Sequence, residues 1–494
     1  MRTPVLTVPM AVMLIGCGVG GKYDMDMDND QGFEVSGPDY SVNDEDLADT
    51  NPWVETSDDP MSTFSVDVDS GSYTLTRRTL NEGSLPDAKE VRVEEFINYF
   101  HYDDARPEGD LPFEVTLEAA PSMFGHDDDI YLMRIGIQAE EIPLAERDPV
   151  NLVFLLDVSG SMSSPDKLGL VVYAMKQLVD KLSPEDTLGI VVYAGSDGIL
   201  LESTPVHDKS TILDALDKLQ AGGATNGEAG IRTAYNMAER NFHDDGVNRV
   251  VLCTDGDFNV GLEGPGLIDL IENFRDRGIF LTTLGFGMGN YQDGTMEQLA
   301  DNGNGNYAYI DTHNEATRVL GENLVSTLQV VAKDVKVQVE FEANTVERWR
   351  LIGYENRILD HDDFDDDSVD AGDIGAGHHV TALYEIDLTD SASADDLAKV
   401  RLRYKEPKAS ESTEHFWSID GADRLSSFDA ASADLQFSAA VAEFAEILRD
   451  SEHSEGARFD DIADVVFDAA PNNTRTELKD EFIGLVGKAA AMWP

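Results

Sequence analysis

Residues 151–163 read NLVFLLDVSGSMS, an apolar run that ends in a carboxylate and is followed by hydroxyl side chains. A short, continuous apolar run of this kind is typical of a strand that is buried on both faces. Asp157, Ser159 and Ser161 follow one another at a spacing of two residues, so their side chains line one side of a turn. We therefore expect a buried strand whose carboxyl end carries a group of oxygen ligands.

Outward from this stretch, apolar strands alternate with amphipathic helices over residues 149–328. Further strands are predicted at 188–193, 249–254, 279–286 and 307–310, and helices at 167–182, 211–219, 227–242, 267–277 and 295–301. Short apolar strands that are separated by helices indicate a parallel sheet covered on both faces. The predicted fold class is therefore α/β, with a central doubly wound, Rossmann-like domain built on a parallel sheet.

The regions on either side of this block show a mixed pattern. Alternating strands are predicted at 64–68, 113–117, 131–137, 335–341, 379–388 and 399–404, and helices at 91–100, 433–448, 459–467 and 476–491. Thr474 and Glu477 form a candidate capping box for the last helix. The acidic run 360–373 is predicted to be a solvated loop. We expect a mixed or antiparallel β layer, built from the N-terminal and C-terminal regions, with helices at the C-terminus.

Two more loops of the central block carry oxygen side chains. Residues 222–225, Gly-Gly-Ala-Thr, place the hydroxyl of Thr225 just before a predicted helix. Residues 254–256, Thr-Asp-Gly, place the carboxylate of Asp255 at the end of a buried strand. Ligands of doubly wound sheets bind beyond the carboxyl ends of the strands. We therefore expect both loops to meet the turn that follows the first strand.

A hard cation such as Mg²⁺ suits this set of oxygen ligands. Mg²⁺ takes about six oxygens and keeps some of its water. Three hydroxyls and two carboxylates supply too little negative charge to saturate the ion if the carboxylates act through water. A partner's carboxylate can then complete the shell, whereas a site made only of Asp and Glu would leave no place for it. The hydroxyls are therefore the informative residues.

The arrangement resembles the metal-ion-dependent adhesion site of the von Willebrand factor type A (VWA) family. That family's D-x-S-x-S motif, its Thr and its later Asp are matched in order by Asp157, Ser159, Ser161, Thr225 and Asp255. The resemblance covers about residues 151–328 and implies that these side chains bind Mg²⁺ or Mn²⁺. It also implies a protein-binding module that grips an Asp or Glu carboxylate of a partner through the cation.

One stretch outside the central block imitates the metal motif. Residues 67–72 read Asp-Val-Asp-Ser-Gly-Ser and begin with a carboxylate. However, Asp69 and Gly71 stand where the motif has its two serines, and a glycine supplies no ligand side chain. We therefore do not expect residues 67–72 to form an adhesion-type metal site.

The flanking regions resemble one bacterial family of VWA lipoproteins. Residues 51–100 resemble the N-terminal region of YfbK-like proteins, and residues 350–357 and 374–378 resemble their C-terminal region. The resemblance implies a YfbK-like N-terminal region at 51–148, a VWA domain at 149–328 and a YfbK-like C-terminal region at 329–494. It defines the architecture better than the biochemical role.

The N-terminal segment predicts a lipid anchor. Arg2 precedes a mostly apolar stretch, residues 5–16, that is shorter than the ~20 residues of a membrane-spanning helix and is typical of a secretion signal. Residues 14–17, Leu-Ile-Gly-Cys, resemble the bacterial lipobox, which implies cleavage before Cys17 and lipidation of its thiol. The expected lipoprotein signal segment, residues 1–17, therefore consists of the signal peptide and the lipobox cysteine that follows the cleavage site.

Residues 18–50 are predicted to be a disordered acidic tether, because residues 23–60 contain many Asp and Glu but no Lys or Arg. Gly18 follows the cysteine where inner-membrane lipoproteins have Asp, which is similar to the outer-membrane class. The predicted location is therefore the cell envelope, lipid-anchored to the outer membrane on its periplasmic or surface face. The protein reaches the membrane through the lipid on Cys17.

The composition limits the classes of partner. The chain has 494 residues, with 36 Lys and Arg against 96 Asp and Glu, a formal net charge of −60. Nucleic acid is disfavoured as a partner because it needs a basic surface. Cys17 and Cys253 are the two cysteines of the sequence, which excludes a disulfide scaffold and a Cys-rich zinc module.

Three function classes stay open. A binding module is favoured, because the sequence has no H-E-x-x-H or G-x-S-x-G motif and shows no basic residue near the predicted site that would support catalysis. The chain is therefore not expected to be an enzyme. The alternatives are a metal-dependent hydrolase and an assembly factor that works with an ATPase partner. A lipidated protein would be separated from cytosolic ATP, which disfavours the second alternative.

Overall fold

A computed structural model describes residues 50–109, 111–124, 130–194, 198–223, 227–256, 265–287, 293–389, 396–469 and 475–494. The predicted signal peptide and almost all of the predicted tether lie outside them. The strands are, in chain order, β1 Val54–Glu55, β2 Met61–Ser65, β3 Phe113–Pro121, β4 Ile130–Ala139, β5 Val150–Asp157, β6 Thr187–Tyr193, β7 Gly198–Pro205, β8 Val247–Thr254, β9 Ile279–Phe286, β10 Tyr307–Ile310, β11 Val330–Phe341, β12 Val346–Ile352, β13 Ile374–Gly375, β14 His379–Leu388, β15 Asp396–Lys405 and β16 Ser412–Asp420.

The described residues form twelve α-helices, of which the last three lie in the C-terminal region. In chain order they are α1 Gly71–Asn81, α2 Val93–Asn98, α3 Leu168–Lys181, α4 Lys209–Leu216, α5 Gly227–Arg240, α6 Pro265–Arg275, α7 Asp293–Asn302, α8 His313–Thr317, α9 Leu324–Leu328, α10 Ala433–Leu448, α11 Phe459–Ala469 and α12 Glu477–Met492. α12 is capped by the Thr476 hydroxyl, which accepts from Lys479 N–H. Thr474 lies outside the described residues. Across those residues, no helix has both the length and the apolar character that crossing a membrane requires.

The central block folds around a six-stranded sheet in the order β10-β9-β8-β5-β6-β7. All neighbours in this sheet are parallel except β7, an edge strand that pairs antiparallel with β6. Side chains of β5 alternate between two cores, because Phe154 packs beneath α3 and α4 whereas Leu155 packs beneath α5, α6 and α7. The prediction of a doubly wound sheet is confirmed, with an antiparallel edge strand added.

The flanking regions form two antiparallel sheets. One has the order β1-β12-β14-β4-β3, and the other runs β13-β11-β15-β16 with β2 also paired to β11. The two sheets share one apolar core. A second core lies among α1, α2 and the three C-terminal helices, and it includes Leu132 and Leu383 from the first sheet. Strands from both ends of the chain therefore combine in each sheet, as predicted.

The acidic run 360–373 is not a freely solvated loop. Arg275 Nη1 donates to Asp370 Oδ2 at 2.9 Å, and the Asp334 backbone N–H donates to Asp373 Oδ1 at 3.2 Å. Burial and the neighbouring Asp334 carboxylate together raise the pKa of Asp373 to about 7. The end of the run therefore contains a carboxyl group that resists ionisation.

Replacing Asp373 by asparagine is expected to stabilise the protein progressively as the pH rises from about 4 to about 7. A carboxyl whose pKa is higher in the folded state stabilises the fold while protonated, and this stability is lost as the pH rises through the folded pKa. Asparagine cannot ionise, so the variant does not lose this stability. The difference in the free energy of unfolding is about 1–2 kcal/mol for this partly exposed side chain.

Urea unfolding of the parent and Asp373→Asn proteins at about pH 4 and about pH 8 measures this effect. Asp362→Asn, on the exposed side of the same run, is the matched control. Its difference in stability from the parent should be the same at both pH values. A stability difference for Asp373→Asn that does not change with pH would contradict the prediction.

Candidate functional site

The first turn of the site follows β5, an interior strand of the parallel sheet. Asp157 ends this strand and is fully buried. Its Oδ1 accepts a hydrogen bond of 2.7 Å from the Ser159 backbone N–H, which closes the turn around the carboxylate. The hydroxyls of Ser159 and Ser161 are hydrogen-bonded to each other at 2.8 Å. The structure therefore brings together the three side chains of the D-x-S-x-S motif.

The loop before α5 is attached to this turn by backbone hydrogen bonds. Gly222 N–H donates to the Val158 carbonyl at 2.7 Å, and Gly160 N–H donates to the Gly223 carbonyl at 3.2 Å. The second loop thus meets the first turn, as the topology of the sheet requires. Thr225, which follows in the sequence, lies outside the described residues, so its place in the site rests on the sequence alone.

The third loop begins at Asp255, directly after β8. Asp255 is 4% exposed, and its Oδ1 has no hydrogen-bond partner among the residues that the structure describes. Thr254 Oγ1 donates to Asp157 Oδ2 at 3.4 Å and so links the ends of β8 and β5. Strand order reverses between these two neighbours, and the second predicted carboxylate lies at that switch point.

The electrostatics of the site favour a bound cation. Burial raises the pKa of the Asp157 carboxyl; hydrogen bonds from Ser159 oppose this rise, and the Asp255 carboxylate adds to it. Tyr193 donates its phenolic O–H to Asp157 Oδ2 at 3.3 Å. Two buried carboxylates that repel each other are stabilised when a positive charge is placed between them.

A basic residue that the sequence analysis missed lies at the site. Lys167 Nζ donates to Asp255 Oδ2 at 2.8 Å. The lysine chain passes over Gly287, where a Cβ would lie 2.3 Å from Lys167 Cε, and the φ of 77° at this residue favours glycine. The expectation that no basic residue lies near the site is wrong. The place of Lys167 in the sequence does indicate that it lies near the site, because it immediately precedes α3. As the helix that follows β5, α3 begins at the same edge of the sheet.

The residues fit a hard divalent cation. Carboxylates and hydroxyls are the oxygen ligands that Mg²⁺ prefers. Asp255 Oδ1 is a buried acceptor whose described surroundings offer it no hydrogen-bond donor. The side chains that would hold the ion are Asp157, Ser159, Ser161 and Asp255, with Thr225 added from the sequence.

Comparison with known proteins gives the same architecture. The model described as "von Willebrand factor type A domain" matches residues 151–323, "von Willebrand factor" matches 42–132, and "Uncharacterized protein YfbK, C-terminal" matches 326–492. The protein printed as "Uncharacterized protein YfbK", from Escherichia coli (strain K12), is 40% identical over 440 residues, covering 84% of this chain and 75% of that protein. The chain belongs to the YfbK family. Its central block is a VWA domain, as the sequence predicted.

Other matches of this YfbK-family chain are more distant. The protein printed as "Uncharacterized protein sll0103", from Synechocystis, is 29% identical over 184 residues, which cover 37% of this chain and 43% of that protein. A solved structure, a von Willebrand factor type A protein from Catenulispora acidiphila, is 14% identical with a TM-score of 0.45 and covers 79% of this chain and 97% of its own. Membership of the YfbK family therefore rests on the Escherichia coli protein.

Proposed function

We propose that this YfbK-family protein is a binding module that holds an Asp or Glu side chain of a partner protein through Mg²⁺ or Mn²⁺. The proposal is carried by the convergence of buried Asp157 and Asp255 with the hydroxyls of Ser159 and Ser161 at one edge of the sheet. VWA domains are known as protein-binding modules, and they often bind divalent cations through such a site.

The residues of this site have different roles in binding the cation and the partner. When bound, the cation supplies an electrophilic position that a partner's carboxylate can fill. Asp157 is held in one orientation by the Ser159 N–H, which reduces the reorganisation needed on binding. Ser159 and Ser161 add oxygen ligands without adding charge. Lys167 neutralises part of Asp255, and it therefore competes with a cation for that carboxylate.

The net charge of the chain limits the kinds of partner protein that can bind to it. A net charge of −60 repels acidic proteins at long range, and salt screens this repulsion over about 8 Å at physiological ionic strength. A partner that presents a single carboxylate from a neutral or basic surface fits this chain better than a strongly acidic one. Nucleic acid is disfavoured for the same reason.

Affinity capture tests this function and separates it from the two alternatives. The full chain is immobilised in Mn²⁺, exposed to cell-envelope proteins at physiological salt, and then washed with EDTA. The proposal expects an intact partner that EDTA releases and that an Asp157→Ala chain fails to capture. A captured protein that resists EDTA and binds both chains equally would contradict the proposal. Release of cleaved protein would support a hydrolase, and an ATP-dependent capture would support an assembly factor.

We also propose that a lipid on Cys17 tethers the protein to the outer membrane, with the VWA domain on the periplasmic or surface face. The support is the sequence of residues 14–17, since Cys17 lies outside the described residues. Replacing Cys17 by serine is expected to move the protein from the membrane fraction to the soluble fraction and to abolish palmitate labelling.

The control for this experiment is Cys253→Ala, which removes the other thiol. Cys253 is buried in the core of the VWA domain, so the variant should stay in the membrane fraction. A Cys17→Ser protein that still fractionates with membranes would contradict the lipid anchor.

A further inference from the structure

A second group of buried carboxylates joins the N-terminal region to the VWA domain and shares no residue with the adhesion-type site. Asp67 follows β2, Glu95 lies in α2, and Glu297 lies in α7. One carboxylate oxygen of each residue lies within 4.8 Å of the other two. Their exposed fractions are 4%, 0% and 7%, respectively. We call these three residues the acidic trio.

Negative charge exceeds positive charge around the trio. Among the described residues, the ion pairs of this cluster involve six carboxylates and two guanidinium groups, which are Asp67, Asp69, Glu95, Asp293, Glu297 and Asp301 with Arg92 and Arg357. Burying like charges is costly unless they are neutralised or bind an opposite charge. The two positive charges of the cluster therefore do not balance its six acidic groups.

The two arginines pair with the outer carboxylates as well as with the trio. Arg92 Nη2 lies 2.5 Å from Asp293 Oδ2, and Arg357 Nη1 lies 2.9 Å from Asp301 Oδ2. Arg92 also pairs with Glu95, and Arg357 Nη2 lies 3.2 Å from Glu297 Oε1. Each arginine is thus shared among several acids, so the trio is only partly compensated.

Asp67 supplies a second, independent observation. Its Oδ1 accepts from the Asp69 N–H at 3.0 Å, but its buried Oδ2 has no hydrogen-bond partner in the described parts of the chain. Oδ2 lies 3.5 Å from Arg357 Nη2, the same nitrogen that donates to Glu297, so it is turned toward the trio. Asn356 donates to Glu297 Oε1 at 2.9 Å, and its own buried Oδ1 also has no described donor.

We propose that Asp67, Glu95 and Glu297 bind a structural divalent cation of the Ca²⁺ type, which fastens the N-terminal region to the VWA domain. Ca²⁺ binds oxygens at about 2.3–2.6 Å, so three oxygens that lie within 4.8 Å of one another can belong to the shell of a single ion. Oxygen ligands from separate elements suit the flexible shell of Ca²⁺. The site is distinct from residues 67–72 acting as an adhesion-type motif, since only Asp67 of that stretch takes part.

Two members of the trio have carboxyl groups whose ionisation is opposed by burial. Burial raises the pKa of Glu95 well above its usual range and that of Glu297 to about 7, while Arg92 lowers both. Both groups therefore favour the addition of positive charge, which a proton or a cation can provide.

Calcium titration of the full chain in the Asp157→Ala background tests the proposal, because that background removes the adhesion-type site. The protein is stripped with chelator and melted at about pH 8 with increasing CaCl₂. Saturation to about 100 times Kd is expected to raise the melting temperature by about 3 °C. Glu297→Gln added to this background should lose the rise, and Asp67→Asn serves if the first variant does not fold.

Glu202→Gln is the matched control, because it removes the same charge from an exposed side chain of β7. It should keep the full calcium response, and any calcium that binds to the acidic N-terminal segment would bind equally in all variants. No calcium response in the Asp157→Ala background would overturn the site, as would an undiminished response in Glu297→Gln.

Discussion

Replacing Asp157 by alanine is expected to abolish the stabilisation of the protein by Mg²⁺ or Mn²⁺ while the fold persists. A ligand at about 100 times its Kd stabilises the folded state by about 2.7 kcal/mol, which is a rise of about 3 °C for a chain of this length. The variant loses a buried carboxylate, and with it the repulsion from Asp255 that a cation relieves. Thermal melts with and without each metal measure the effect, and an unchanged rise would contradict the site.

Two further variants sharpen this result. Ser163→Ala changes an exposed serine of the same turn that matches no ligand position of the motif, so the metal response should be retained. Lys167→Met removes the cation that contacts Asp255 Oδ2, so half-saturation should occur at a lower metal concentration than in the parent. A metal affinity that falls in Lys167→Met would contradict the competition between lysine and metal.

Replacing Arg77 by methionine is expected to lower the free energy of unfolding by about 3–5 kcal/mol, because it leaves buried carboxylates without their cation. Arg77 is 3% exposed and lies in α1. Its guanidinium donates to Asp311 and Glu315 of the VWA domain at 2.8 Å, and to Glu481 of α12 at 3.0 Å. One side chain thus connects all three regions, and urea unfolding measures its contribution.

Arg106→Met is the matched control for this substitution. Arg106 pairs with Glu141 on the surface, where the two side chains are 74% and 58% exposed. Exposed pairs contribute about 0–1 kcal/mol, so this variant should unfold almost as the parent does. Equal losses in the two variants would show that the buried Arg77 network does not hold the regions together.

The meeting of the three loops could be predicted because it follows from topology. Parallel strands that are connected by helices place their carboxyl ends at one edge, and the reversal of strand order between β8 and β5 opens a crevice there. Asp157 and Asp255 are the residues at those two strand ends. Spacing within the D-x-S-x-S motif then fixes which side of the turn the serines occupy.

Several elements could not be predicted because tertiary contacts stabilise them. α1 contains Gly71, three threonines and two arginines, which lack helical apolar spacing, yet it is held by the Arg77 network and by packing of Gly71 on the Tyr307 ring. β12 contains Arg350, a buried residue whose Nε donates to Glu385 at 2.7 Å. A charged residue at an inward position breaks the alternation from which strands are recognised.

The charged contacts that could not be predicted from the sequence also depend on tertiary packing. Lys167 contacts Asp255 across 88 residues of sequence, and the trio combines Asp67 and Glu95 with Glu297 from a different region. Neither arrangement has a motif, because each depends on how distant elements pack. The sequence of residues 67–72 departs from the adhesion-type motif, and nothing in that sequence places Asp67 beside the other two acids.

Anomalous diffraction from crystals of the full chain grown with Mn²⁺ most directly tests metal binding at the adhesion-type site, where β5 and β8 have their carboxyl ends. We expect a strong manganese peak at the carboxyl edge of β5, in contact with the hydroxyls of Ser159 and Ser161, and Lys167 displaced from Asp255. Manganese peaks confined to other parts of the molecule, with Lys167 Nζ still on Asp255 Oδ2, would contradict it.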